Sequence, residues 1–515
     1  MSGHSFSRVP TINTNRSTFR RDFNRKMTFD AGYLVPIMID EALPGDTLNL
    51  NLTAFGRLAN PVYPIMDNLY LDTFYFAVPY RLVWENWERF NGAQSNIGDS
   101  TDFLIPQLTS PTGGHLNGSI HDYFGIPTGI ENLAHSSLWH RAYNLIWNEW
   151  FRDQNLQDSV NVEMGDGPDN LSDYQLLKRG KRHDYFTSCL VSPQKGPAVQ
   201  LPLSGNADFS IDADSGNTTV GIKSNPSGDL KRQFVSGTDS GFALSTADGR
   251  GGEIQAYADL SSVTSATVNQ LRQAFQIQRL LEKDARGGTR YTELIQNHFN
   301  VTSPDARLQR PEYLGGGSNP LNVNPVPQTS SSDSTSPQGN VSAYGTIKHR
   351  DRGFTKSFTE HSLIIGLACV RADLTYQQGL PRMFSRRVRE DFYWPVFQSL
   401  GEQAVLNKEI FAQGNSTDDD VFGYQERYAE YRYKNNEICG QFRSNYAQSL
   451  DAWHLAQNFL NLPTLSPDFI EENPPVDRVK AVADSYPDII MDMFYKYKCH
   501  RPMPMYSVPG FIDHF

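Results

Sequence analysis

Near the C-terminus, Met491, Met493, Tyr495, Tyr497 and Cys499 alternate with Asp492, Phe494, Lys496, Lys498 and His500. A period of two puts the first set on one face of a β-strand and the second on the other, so this end of the chain must lie in a sheet with one dry face. The same demand arises near the N-terminus. There Leu48, Leu50 and Leu52 alternate with Asn49, Asn51 and Thr53 after a Pro44-Gly45-Asp46 turn. Tyr33–Ile39 and the aromatic-rich Leu69–Val78 read as further strands, and the unbroken apolar run Ser362–Val370 suits a strand covered on both faces. Strands at both chain ends with long insertions between them fit one architecture best. The expected fold is mainly β, an eight-stranded jelly roll with long inserted loops and several helices.

Three amphipathic segments interrupt the strands. Ser136 or Ser137 can cap a helix running to about Phe151, with Leu138, Ala142, Leu145 and Ile146 on one face and Trp147 and Trp150 widening it. A second, Val268 to Asp284, carries Leu271, Ala274, Phe275 and Leu281 and stops at Gly287-Gly288. A third, about Ser449 to Asn461, shows Leu450, Trp453, Ala456 and Leu460 before Pro463. All three stripes are expected to pack into the core. Residues 205–262 are crowded with Gly, Ser, Asp, Asn and Thr around patches such as Phe209-Ser210-Ile211, which suggests an inserted set of exposed hairpins. Residues 315–345, with Gly315-Gly316-Gly317 and Ser330-Ser331-Ser332, are expected to form a long surface loop. No linker separates balanced halves, so residues 27–515 are expected to form one domain.

Charge is unevenly placed. Residues 1–26 hold Arg8, Arg16, Arg20, Arg21, Arg25 and Lys26 against Asp22, a net +5 on a chain of net −11. A basic arm with few apolar residues cannot pack by itself and commonly binds polyanions, so these six side chains are the expected nucleic-acid contacts. Aromatic residues reach 12% while charged residues stay at 20%, which favours broad buried contacts over solvated helices. The longest apolar run, Leu363 to Val370, falls far short of the roughly 20 residues that span a bilayer, so no membrane insertion is expected. Ser2 to Lys26 is polar and basic, so no secretory signal is expected and the chain should be used where it is made. Cys189, Cys369, Cys439 and Cys499 stand far apart with no C-x-x-C pair, arguing against disulfides and compact zinc sites.

Catalytic signatures are absent. No G-x-x-x-x-G-K-[ST] loop or G-x-S-x-G elbow occurs, and neither His115/His121 nor His135/His140 has H-E-x-x-H spacing, so these histidines are expected to be structural. Asp212-x-Asp214-x-Gly216 resembles the start of a calcium loop, but Lys223 stands at the twelfth position where a bidentate Glu is needed. Asp418-Asp419-Asp420 reads as a solvated acidic tip. No metal, cofactor or enzymatic activity is expected. A jelly-roll glycan hydrolase or carbohydrate-binding protein remains the alternative, since carboxylates and aromatic platforms are plentiful.

The strings themselves carry more. Arg141-Ala142-Tyr143-Asn144-Leu145-Ile146-Trp147-Asn148-Glu149-Trp150-Phe151-Arg152-Asp153-Gln154-Asn155-Leu156 closely resembles the central helix of Microviridae major capsid proteins. Asp184-Tyr185-Phe186-Thr187-Ser188 with Pro193-Gln194-Lys195-Gly196 resembles the next segment of that family. Glu282-Lys283-Asp284-Ala285-Arg286-Gly287-Gly288-Thr289-Arg290-Tyr291 and Ser303-Pro304-Asp305-Ala306-Arg307-Leu308-Gln309-Arg310-Pro311 are similar to the gokushovirus branch in particular. The resemblance covers nearly the whole chain and departs mainly at 205–262 and 315–345. It implies a viral jelly roll, sixty copies of which form a T=1 icosahedral shell around circular single-stranded DNA. It further implies threefold protrusions built from 205–262 that meet a host-cell receptor, a small basic DNA-binding viral protein as partner, and assembly in the bacterial cytoplasm.

Overall fold

The computed structural model describes residues 15–197, 199, 267–302, 309–332, 334, 337–481 and 486–506, together with the backbone of the strands Asp208–Ala213, Val220–Gly221 and Ile254–Asp259. The chain divides into two compact units, one comprising Met1–Pro193 and Gly288–Phe515, the other Gln194–Gly287.

The large unit is built on a curled antiparallel sheet of nine strands: β1 (Ser17–Arg20), β2 (Phe23–Phe29), β3 (Val35–Ala42), β4 (Thr47–Leu58), β5 (Leu69–Pro79), β6 (Glu312–Pro327), β7 (Val341–Ser357), β8 (Ser362–Ala372) and β9 (Ile489–Arg501). Their order is β1-β9-β4-β7-β6-β5-β8-β3, with β2 also on β9. β1 and β2 follow one another along the same edge of β9, and the Arg21 amide between them donates to the Tyr497 carbonyl at 2.8 Å. The nine strands therefore occupy eight positions across one curled sheet, an arrangement consistent with a jelly-roll-like fold. β6 makes the curl, because Glu312–Pro320 pairs with β5 while Leu321–Pro327 pairs with β7.

Two cores lie on opposite faces of β8. Ile364, Ala368 and Val370 join Leu48, Leu50, Leu52, Leu71, Tyr495 and Tyr497 inside the curl. Leu363, Ile365, Leu367 and Cys369 instead meet Leu138, Ala142 and Ile146 of α1 (Leu138–Ile146). Burial on both faces is why this strand reads as an unbroken apolar run. α1 begins after Ser137 and continues through a π-helical turn, Trp147–Phe151, so the helix expected here is confirmed over its full length. A third cluster, around Phe186, Val405, Ile410 and Phe422, packs beneath the segments that follow β8.

Four expectations are corrected. Residues 315–345 are not one surface loop: β6 and β7 take most of them, and the connection covers only 328–340. The glycines there serve close approach, since a Cβ on Gly316 would lie 2.0 Å from the Thr73 carbonyl oxygen of β5. The segment Ser449–Asn461 is not a helix but holds one 3-10 turn, Asp451–Trp453. Its backbone amides are taken elsewhere, Leu455 by the Asp67 carboxylate and Gln457 by the Thr375 carbonyl at 2.8 Å. The second helix, α2 (Val268–Arg286), forms with a Thr267–Gln270 capping box, yet Val268, Phe275 and Leu280 on it are exposed rather than in a core. The basic arm does not stay apart up to Lys26, because β1 and β2 are part of the sheet. Of the 205–262 insertion, the described strands form a three-stranded antiparallel sheet, with Asp208–Ala213 between Ile254–Asp259 and Val220–Gly221. The Asp214-x-Gly216 part of the calcium-like string lies outside the described residues.

At the buried start of α1, Arg141 and Asp169 form a bidentate pair, Nε to Oδ2 at 2.8 Å and Nη2 to Oδ1 at 2.5 Å, with side chains 0% and 1% exposed. Arg141 also donates to the carbonyls of Val83 (3.0 Å) and Gly165 (2.9 Å), and Tyr174 donates to Asp169 at 2.5 Å. Burial alone would push the Asp169 carboxyl up, but the hydrogen bonds from Arg141 and Tyr174 overcome it and hold it below the ordinary aspartate value. A depressed folded-state value contributes stability that is full above the ordinary aspartate range and is lost as pH falls through the lowered value. Asp169→Asn should therefore cost about 3–5 kcal/mol in urea unfolding of the subunit at neutral pH and should shallow its acid limb. An unchanged midpoint would show that the pair contributes nothing net.

Candidate nucleic-acid and assembly surfaces

The alternation that buries Tyr495 and Tyr497 turns the other half of β9 outward. Ile490, Asp492, Phe494, Lys496, Lys498 and His500 are all exposed. Register extends this face across its neighbours. Lys26 of β2, Asp492, Phe55 of β4 and Lys348 of β7 form one row; Asn24, Phe494, Thr53 and Arg350 form the next. Arg57 stands beside Ile490 and carries its guanidinium over the Phe55 ring at 5.8 Å. Arg20 stands opposite Lys498. The result is a broad sheet face on which Lys26, Arg57, Lys348, Arg350, Lys496 and Lys498 alternate with the exposed rings of Phe55 and Phe494. Cations supply attraction to phosphates, and rings supply platforms on which bases of any identity can stack. At one end of this face, a cleft of about 570 Å³ is lined by Arg25, Lys26, Phe55, Arg57, Tyr123 and Ile490 among others.

The six basic residues expected to touch nucleic acid separate into two groups. Arg20 and Lys26 project outward, with side chains 70% and 77% exposed, and their nearest carboxylates are Asp22 at 2.8 Å and Asp492 at 3.9 Å. Arg16 is also exposed. Arg21 and Arg25, in contrast, are tied into the subunit. Arg21 Nη1 donates to Asp40 at 2.5 Å and its guanidinium lies over the Tyr497 ring. Arg25 donates to the Tyr123 carbonyl, and burial pushes its pKa down. Phe23 between them stacks on Tyr495 at 4.5 Å. These residues hold the arm strand to β9 and to its neighbours rather than projecting from it. Arg8 lies outside the described residues. Sequence reasoning passed over Lys348, Arg350, Lys496 and Lys498, although the polar half of the β9 alternation already displayed the last two.

A second surface is apolar. Between β8 and the Glu402–Leu406 strand the chain makes three short 3-10 turns, Arg382–Phe384, Arg389–Asp391 and Pro395–Phe397. Met383, Phe384, Val388, Phe392, Tyr393, Trp394, Val396 and Leu400 are all exposed along them, Val396 to 84%. Arginines lie over the rings: Arg386 over Phe392 and Tyr431, Arg389 over Trp394 at 4.3 Å. The Asp391 carboxylate accepts from the Arg387 and Val388 amides at 2.7 and 3.0 Å and fixes the middle turn. An ordered, contiguous aromatic surface with interleaved arginine has the composition of a protein–protein contact rather than of a solvent-facing loop.

Comparison with known proteins gives the family. A family model described as capsid protein (F protein) matches residues 7–511. The capsid protein VP1 of Bdellovibrio phage phiMH2K is 53% identical over 526 residues, covering 99% of this chain and 98% of that one. The capsid proteins VP1 of Chlamydia phage 1 and Spiroplasma virus 4 are 45% and 38% identical, each over 98% of this chain and 97% of theirs. No helix among the described residues is long and apolar enough to cross a membrane. With family and relatives matching from end to end, the chain belongs to the capsid protein (F protein) family of the Microviridae phages: it is a major capsid protein, a structural part of the virion and not an enzyme.

Proposed function

We propose that sixty copies of this chain close into a T=1 icosahedral shell around circular single-stranded DNA. The exposed basic and aromatic face of β2, β4, β7 and β9 then turns toward the genome. That face is the observation that carries the reading, because a capsid subunit needs one surface that accepts phosphate and bases without regard to sequence. The outward cations Arg16, Arg20 and Lys26 extend it, together with Arg8, while Arg21 and Arg25 seat the arm.

The arm alone is too weak a counter-charge. Sixty arms of net +5 bring about 300 positive charges, whereas a genome long enough only to encode 515 residues carries about 1500 phosphates, so the arms offset about one fifth. The sheet-face lysines and arginines add to them, and a small basic DNA-binding viral protein is the proposed source of the remainder. Purified subunits should bind single-stranded oligonucleotides with a steep salt dependence. Lys496→Gln with Lys498→Gln should reduce the magnitude of the slope of log K against log salt by about 1.4, two phosphate contacts' worth, and lower the DNA content of particles that still form. Equal slopes and full particles would place the DNA elsewhere.

The aromatic surface of residues 383–400 is the proposed subunit contact. A carboxylate forced into the middle of such a contact is buried without a partner, which costs about 2 kcal/mol or more, roughly 30-fold in association. Val396→Asp should therefore leave subunits with unchanged circular dichroism that no longer sediment as megadalton particles. Normal particle yield from that variant would exclude the surface from assembly.

The 205–262 insertion is proposed to meet the host-cell receptor, since a segment so rich in Gly, Ser, Asp and Asn tolerates change and carries little core. Replacing residues 224–240 by a short Gly-Ser link should preserve particles and reduce adsorption to host cells. Unchanged adsorption would reduce the insertion to decoration.

A further inference from the structure

Four histidines far apart in hydropathy pattern meet beside α1. His115 lies in the loop between the short strand Gln107–Thr109 and the one-turn helix Ile120–Tyr123, and His121 on that helix. His135 belongs to the strand Ala134–Ser136, and His140 to α1 itself. One ring nitrogen from each of His115, His121 and His135 lies within 4.8 Å of the other two. His115 Nε2 and His135 Nε2 are 3.1 Å apart, close to the roughly 3.4 Å that separates two imidazole nitrogens bound to one tetrahedral zinc. The other ring nitrogens of two of these residues are held by outer groups. His135 Nδ1 faces the Ser136 carbonyl at 3.2 Å, and His121 Nδ1 faces His140 Nε2 at 2.8 Å, the arrangement by which a second layer orients metal-binding imidazoles. His140 is fully buried, and its Nδ1 has no hydrogen-bond partner.

Each neutral imidazole carries one N–H and one lone pair, and with the His135 Nδ1–H donated to the Ser136 carbonyl its Nε2 lone pair faces the point to which His115 and His121 also bring a ring nitrogen.

We propose that His115, His121 and His135 form a three-histidine site for a divalent transition ion of zinc type, with His140 orienting His121 and a fourth coordination position open to water. Three nitrogen ligands select zinc, cobalt or nickel over magnesium and calcium, which prefer oxygen. The ion would join the loop, the one-turn helix and the short strand into one cross-linked block. That block supports the arm strand, because Tyr123 donates its hydroxyl to the Thr28 carbonyl at 2.8 Å and receives Arg25 on its own carbonyl.

The test uses untagged full-length protein, stripped with chelator, incubated with Zn²⁺ or Co²⁺ and freed of excess metal by gel filtration. Elemental analysis should find about one zinc retained per chain. Cobalt should give the intense visible bands of a tetrahedral ion, and X-ray absorption of the zinc form should show imidazole scattering from three ligands. His135→Gln, at the least buried of the three, should lower zinc retention at least tenfold and abolish the zinc-dependent rise in thermal midpoint. His115→Gln should behave alike. Wild-type retention below a tenth of an equivalent would overturn the proposal and leave four mutually hydrogen-bonded imidazoles. Equal retention by wild type and both variants would do the same. If the variants fail to fold, the wild-type absorption spectrum decides alone, and fewer than three imidazoles in it would refute the site.

Discussion

The pairing of β9 on both edges is the constraint on which the rest of the structure depends. β9 is the last strand in the chain, yet it lies between β4 on one side and β1 with β2 on the other. Backbone hydrogen bonds leave no choice of partner once register is set, and register is set by burying Met491, Met493, Tyr495, Tyr497 and Cys499. A slip by one residue would put Lys496 and Lys498 into the core, where unpaired charge is far too costly. The first and last described strands are thereby locked together.

The same alternation links stability to function. One strand carries tyrosines inward, where Tyr495 donates to the Ile37 carbonyl at 3.1 Å and Tyr497 to Asp40 at 2.6 Å, and lysines outward. Asp40 is shared with Arg21, so a single carboxylate anchors the C-terminal strand and the base of the arm. The cations that remain exposed are those with no such partner in the fold's interior, and they gather on one sheet face because neighbouring strands present the same parity there. Burying the other parity as core made an accessible basic surface unavoidable on this side.

What was legible and what was not can be traced to particular residues. β4, β5, β8, β9 and α1 follow from periodicity because each buries a complete face of its own. β6 was hidden because its glycines and prolines are loop formers by propensity, and only the approach of Thr73 to Gly316 shows why a side chain would not fit. Ser449–Asn461 carried helical spacing without being a helix, since Asp67 and Thr375, remote in sequence, take the amides that a helix would need. α2 has an amphipathic stripe whose Phe275 is 64% exposed, so a stripe shows that a face is apolar without saying what covers it.

By itself, the sequence determined that both chain ends are strands with one dry face, that the body is mainly β, and which family the chain resembles. Those properties reside in local period and in contiguous strings. Only the tertiary structure decided that Arg21 and Arg25 hold the arm while Arg20 and Lys26 face outward, because Asp40 and the Tyr123 carbonyl come from distant elements. It alone assembled Lys26, Phe55, Lys348 and Lys496 on one face, and His115, His121 and His135 around one point. Such constellations depend on distances between segments that share no local signal, and those distances exist only after backbone pairing has fixed the register.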